Sequence, residues 1–340
     1  MEPEALLRKY NPILVLLPQD LHRHRPWSRW YKKVDDPRGD YHPCEATFFL
    51  SYVAHRSRPR RWNPFRFSEP ALPKPLGLDG LKSLLDGVVP DEAAMWELDL
   101  APMKSQDPDH AWAAYATMLQ EQPWSKQAFA YGRYVAGPPA VLEYWYLYTY
   151  NDAPNRHEGD WEMVALELNE DATEPRRAGY AGHGSGFVRP WPRVEQKDGR
   201  PLVYVARGSH AAYFHHQPGG HRANSLAPSK GWMEPFDSGW RAAAKKAQDV
   251  LVFLRFVDHT PDNPERPAGN AIDRGELIDP ELMIFPEPAA RDPAFWWMSL
   301  DCRWGSRHSR IEGTIGPNPP WRQVDKWREP SKWLDTLVEE

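Results

Sequence analysis

A chain of 340 residues has room for one large domain or two modest ones, and 41% hydrophobic content with 17 Trp, 14 Tyr and 12 Phe excludes a disordered chain. The net charge of −5, with acids and bases interspersed, excludes bulk nucleic-acid binding. With 36 Pro and 22 Gly, the composition favours short elements and long ordered loops over a helical bundle.

The chain opens with acidic residues, and its first apolar run, residues 13–17, is too short for a signal-peptide core. No run reaches the length of a membrane span, so a cytoplasmic location is the expectation. Residues 13–17 predict the first strand, 23–40 a basic loop, and 45–53 (EATFFLSYV) a second strand. His42 stands just before that second strand, as a site residue or as a histidine satisfied by the core. In 56–75, arginines and prolines alternate with Trp62, Phe65 and Phe67, a pattern for phosphate or base stacking or for a solvated proline-rich loop. Cys44 and Cys302 form neither a disulfide framework nor a metal spacing and read as two reduced thiols.

Residues 76–131 carry helical spacing, with Leu78, Leu81, Leu84 and Leu85 on one face and Trp112, Tyr115, Ala116 and Leu119 on another. They predict a helical insertion or lid within one β-sandwich domain spanning 1–340. The stretch 141–168, VLEYWYLYTYNDAPNRHEGDWEMVALEL, predicts two strands joined by a loop. The first strand covers 142–150, and the second resumes at Trp161. Asp152, His157, Glu158, Asp160 and Glu162 place five ligand-capable side chains within eleven positions. Period-2 alternation puts Asp160 and Glu162 on one face, continued by Val164, Leu166 and Leu168, with Trp161 opposite. Unpaired carboxylates at the mouth of an apolar interior are costly, and a divalent cation relieves that cost. Asp152, His157, Asp160 and Glu162 form an oxygen-rich set suited to Ca²⁺, Mg²⁺ or Mn²⁺.

Residues 179–186 (GYAGHGSG) predict a strand ending in a glycine-rich turn that carries His183. Residues 203–206 predict a buried strand that delivers Arg207, Gly208, Ser209 and His210 to a polar loop. Arg207 is a candidate anion clamp or the partner of a core carboxylate, and His210 a candidate ligand or base. His215, His216 and His221 (HHQPGGH) lack an acid nearby in sequence and read as a solvated cluster. Residues 240–247 predict a short helix, 249–257 (DVLVFLRFV) a strong strand, and 325–338 a closing surface helix. The C-terminal tryptophans read as core, with a sugar or choline platform as the alternative. Several catalytic templates are missing, among them G-x-S-x-G, the Walker loop, the dinucleotide fingerprint and H-E-x-x-H.

HEGDWE with its aromatic strand, and PLVYVARGSHAAYF at 201–214, resemble the bacterial relatives of vacuolar protein sorting-associated protein sixty-two. GYAGHGSG, DCRWGS and GPNPPW extend that resemblance over roughly 144–321. His157-x-x-Asp160-Trp161-Glu162 is more distantly similar to the core motif of the necrosis- and ethylene-inducing peptide-like cytolysins, although Glu158-Gly159 stands where they carry Arg-His. That resemblance implies a β-sandwich with a divalent cation beside the motif and recognition of a lipid head group. Two functions are compatible with the chain. One is a cation-dependent module binding a phosphorylated or polyol head group of a lipid or glycan, with Arg207, Ser209, His42 and Trp161 as ligand contacts. The other is a metal-dependent hydrolase or lyase with His157, His183 or His210 as the base.

Overall fold

Strands carry the core of the computed structural model, which describes residues 2–19, 41–56, 74–85, 97–101, 108–122, 127–152, 157–182, 185–217, 221–222, 257–258, 260–265, 274–286, 292–305 and 316–340. Helix α1 (Pro3–Lys9) leads into β1 (Ile13–Leu16). Helix α2 (Ala46–Ser51) and β2 (Val53–Arg56) replace the single strand expected over 45–53. The cause is tertiary. The helix buries Ala46, Phe48, Phe49 and Leu50, and its Ala46 N–H donates to the Tyr131 hydroxyl at 2.7 Å. Packing thereby overrides the strand preference of the phenylalanine pair. Helix α3 (Gly77–Leu85), β3 (Glu97–Leu100) and α4 (Pro108–Glu121) follow. The stretch 76–131 is thus helical only in part, because β3 pairs with β2 and its last residues open β4 (Phe129–Val135).

From β4 the chain meanders through β5 (Val141–Asn151), β6 (His157–Leu168), β7 (Pro175–Gly182) and β8 (Ser185–Pro190), each antiparallel to the last. Next come β9 (Gln196–Lys197), β10 (Arg200–Val205), β11 (Ala212–Tyr213), β12 (His221–Arg222), β13 (Val257–Asp258), β14 (Glu276–Ile278) and β15 (Glu281–Ile284). The chain closes with β16 (Arg303–Trp304), helices α5 (Val324–Arg328) and α6 (Pro330–Leu334), and β17 (Val338–Glu339). Pro330 breaks the surface helix expected over 325–338: Glu329 before it has φ −134° and ψ 53°, as residues preceding proline avoid the helical region. The last residues become an edge strand instead.

Seven strands form the main sheet, in the order β15-β4-β5-β6-β7-β8-β17. Its interior is antiparallel, while β15 and β17 close the two edges in parallel. A second sheet runs β11-β10-β1-β14, with β1 parallel to β10. Alternation sends Leu14, Leu16, Val203 and Val205 into the main core, and Ile13, Val15, Leu202 and Tyr204 into a smaller cluster on the other face. The two sheets meet where the Tyr180 ring stacks on Phe214 at 3.9 Å and its hydroxyl donates to the Leu202 carbonyl at 3.0 Å. The fold is mainly β, with mixed sheets packed face to face.

Trp297, Trp304 and Trp333 are buried, so the C-terminal aromatics include core residues rather than an open platform. Cys44 and Cys302 are buried and unpaired. Among the described residues no helix is long and apolar enough to cross a membrane. The loop expected at 23–40, the helix at 240–247, most of 56–75 and of the strand at 249–257, and His183 lie outside the described residues.

Candidate functional site

The site begins on the β5–β6 hairpin, whose register sets Tyr148 opposite Asp160 and Tyr146 opposite Glu162. Strand β6 starts at His157 rather than Trp161, so the HEGD segment belongs to the strand and not to the loop before it. Trp161 points away from the carboxylates and packs on Tyr131 and Trp304, at 5.8 and 5.5 Å. It is a buried core residue. Gly159 has φ +64°, and a Cβ there would stand 2.1 Å from the Trp304 carbonyl oxygen. This left-handed residue interrupts the alternation. Glu158 turns to the Trp304 side, where its carboxylate accepts the Leu100 N–H at 2.8 Å and is committed to the fold.

The turn after β10 supplies the other half. It is anchored by His210 N–H to the Ala206 carbonyl at 2.9 Å, and Asp152 N–H of the hairpin donates to the Gly208 carbonyl at 2.8 Å. His210 itself adopts φ +58°, a conformation costing a non-glycine residue about 1–3 kcal/mol and concentrated at functional sites. Its ring stacks on Tyr148 at 4.0 Å, with Tyr41 edge-on at 6.1 Å. His210 Nδ1 meets Asp160 Oδ2 at 3.1 Å, and Asn151 Nδ2 donates to the same oxygen at 2.9 Å. Ser209 turns the other way and donates to Asp258 Oδ1 at 2.7 Å, while the Tyr213 hydroxyl donates to Oδ2 at 2.5 Å. Ser209 and His210 therefore serve different acids and form no dyad.

Electrostatics divide the acids. Burial alone would raise the Asp160 carboxyl, but the His210 bond, the charges of His157 and His210 and the Asn151 amide hold it below its ordinary range. Burial raises Glu162 well above its own, and Asp160 and Asp258 add to that while Lys326 of α5 pulls it back. Burial lowers the Lys326 ammonium against the attraction of Glu162 and Asp160. Glu162 thus feels two other carboxylates and one lysine.

The predicted residues are only partly brought together. Asp160, Glu162, His157 and His210 face one another electrostatically, and Asp152 and Arg207 lie half-buried where hairpin and turn meet. His157 Nδ1 donates to the Gly159 carbonyl at 2.7 Å. Asp152, His157, Asp160 and Glu162 do not converge as one ligand set. Among the described residues, the group whose donor atoms all lie within 4.8 Å of one another is His215, His221 and Glu340. The HHQPGGH cluster therefore has an acid partner, contrary to its sequence reading, and that partner is remote in sequence. His42 is structural: its Nε2 donates to the Leu17 carbonyl at 3.2 Å, and burial lowers it to about 4 despite that bond. Sequence reading missed Asp258, Lys326, Asn151 and Tyr148. The strand pattern over 249–257, which Asp258 directly follows, was the one signal for that acid, and nothing local marks Lys326.

Neither a family model nor a curated protein matches the chain. It is similar to a solved structure, Necrosis and Ethylene inducing Protein 2 from the causal agent of cocoa's Witches Broom disease, at 22% identity and a TM-score of 0.23. The match covers 26% of this chain and 45% of that one, so the chain spans less than half of that protein. The distant cytolysin resemblance thus has a weak structural neighbour, and the vacuolar sorting resemblance has no counterpart in these comparisons. Likeness at this level carries no argument about activity.

Proposed function

We propose that the Asp160–Glu162 face binds a hard divalent cation, Ca²⁺, Mg²⁺ or Mn²⁺, and through it a phosphorylated or polyol head group of a lipid or glycan. The surplus of carboxylate around Glu162 carries this reading: Asp160 and Asp258 both act on it, with Lys326 as countercharge. A carboxylate cluster out of bulk water stays ionised only with compensating positive charge. Among the described residues, the bonds to Asp160 fall on Oδ2, so Oδ1 is the oxygen it would offer a ligand. Asp160 and Glu162 would hold the ion directly, with water and ligand oxygens completing a shell that hard cations accept. Asp152 and His157 would act through water, and Arg207 would meet the anionic part of the head group. The motif resemblance to the cytolysins points the same way.

A second reading, a metal-dependent hydrolase or lyase, is favoured by the Asp160–His210 pair. A carboxylate on Nδ1 and a ring held against Tyr148 orient the imidazole as a general base is oriented. The two readings separate when wild type is incubated with phosphoesters, glycosides and lipid extracts plus the cation, and the mixture is analysed by mass spectrometry. The binding reading expects an intact ligand released by chelator, with His210→Ala weakening affinity by about 1–3 kcal/mol. Product formed by wild type, and reduced ~10²–10⁴-fold by His210→Ala, would replace it with the enzyme.

A further inference from the structure

Independently of the acidic face, we propose that His215, His221 and Glu340 form a second metal site, of zinc type, which ties the segment after β11 to the edge strand β17. Their donor atoms all lie within 4.8 Å of one another, and His215 Nδ1 is 3.5 Å from Glu340 Oε1. His221 is buried with its ring stacked on Tyr213 at 3.9 Å, and its Nε2 donates to the His215 carbonyl at 2.9 Å. That bond fixes the tautomer and orientation of the ring and leaves its other nitrogen unprotonated, as a ligating histidine requires. Glu340 is held by the sheet, since its N–H donates to the Val188 carbonyl at 3.0 Å beside the β8–β17 pairing.

Arg189 is the group that competes. Its guanidinium lies 3.3 Å from Glu340 Oε2 and 3.4 Å from His215 Nδ1, and its Nε donates to the Glu340 carbonyl oxygen at 3.2 Å. In the loaded site the metal takes His215 Nδ1 and Glu340 Oε1. Arg189 keeps Oε2 and the carbonyl oxygen, orienting the carboxylate from behind. Two imidazoles and one carboxylate form a nitrogen-rich set that selects Zn²⁺, Co²⁺ or Ni²⁺ over Ca²⁺ or Mg²⁺. With His215 36% and Glu340 26% exposed, a fourth position stays open to water or a ligand. His216 stands apart, because its Nδ1 donates to the Thr260 carbonyl at 2.7 Å.

The test strips the full chain with chelator and titrates it with Co²⁺ as a spectroscopic stand-in, followed by Zn²⁺ competition. One equivalent of Co²⁺ should give the intense visible absorption of a tetrahedral site and be displaced by Zn²⁺. His215→Ala and Glu340→Gln, both partly exposed positions, should each weaken binding at least about 100-fold while the metal-free melting curve is unchanged. His216→Ala and the double variant Asp160→Asn/Glu162→Gln should bind as wild type does, which separates this site from the acidic face. Absence of the band in wild type would overturn the proposal. Its survival in His215→Ala and Glu340→Gln, or an equal loss in His216→Ala, would do so as well.

Discussion

Replacing Gly159 by Ala tests whether the left-handed residue in β6 sets the geometry of the motif. A Cβ at this position, with φ +64°, would stand 2.1 Å from the Trp304 carbonyl oxygen, 3.1 Å from its carbon and 3.4 Å from Phe49 Cζ. The left-handed conformation costs an L-residue about 1–2 kcal/mol. No rotamer change relieves the contact, because the obstructing atoms are backbone. Trp304 is pinned by its N–H to the Pro317 carbonyl at 3.0 Å and by the pairing of β16 with β3. Overpacking of this kind adds about 1–3 kcal/mol, for a total loss of about 2–5 kcal/mol. Urea unfolding followed by tryptophan fluorescence should show a lower midpoint at an unchanged slope. Because β6 must shift, cation-dependent ligand affinity should fall as well. A loss under about 0.5 kcal/mol would refute the reasoning, since that is the range of an ordinary surface substitution.

Two further outcomes concern the supports of the site. Burial raises the Glu143 carboxyl from 4.5 to about 7, against the pull of Arg133 and Trp145. A raised carboxyl contributes stability in full below 4.5 and loses it as pH rises through about 7, a change on the order of 3 kcal/mol. Glu143→Gln should therefore flatten the fall in thermal stability between those pH values, and parallel profiles for wild type and variant would contradict this. Asp258→Asn removes the charge that accepts from both Ser209 and Tyr213, so unfolding should become easier by about 1.5–3 kcal/mol. The same variant should weaken ligand binding through the displaced turn, and unchanged stability would argue against the anchor.

How far the sequence carried depends on whether each signal was local. Strands β5 and β10 were legible because runs such as EYWYLYTY and LVYV have no stable alternative to a buried strand. The face shared by Asp160 and Glu162 followed from alternation alone. Helix α2 was not legible as a helix: EATFFLSYV favours a strand until Tyr131, 85 residues away, caps it. The start of β6 was hidden because Gly159 and Asn155 look like turn residues, whereas Gly159 serves a close approach of Trp304. Lys326 and Glu340 reach their clusters only through the broken C-terminal helices and the edge strand β17, which no local pattern announces. His215 and His221 consequently read as a solvated cluster until Glu340 was beside them.

Isothermal titration of wild type with Ca²⁺, Mg²⁺ and Mn²⁺, beside the double variant Asp160→Asn/Glu162→Gln, tests the central claim most directly. Wild type should bind at least one of these ions, and a concentration ~100 times the dissociation constant should raise its stability by about 2.7 kcal/mol. The double variant should remain folded and show neither effect. Wild type giving no heat and no stabilisation with any of the three ions at millimolar concentration, or a double variant that binds equally well, would contradict the account.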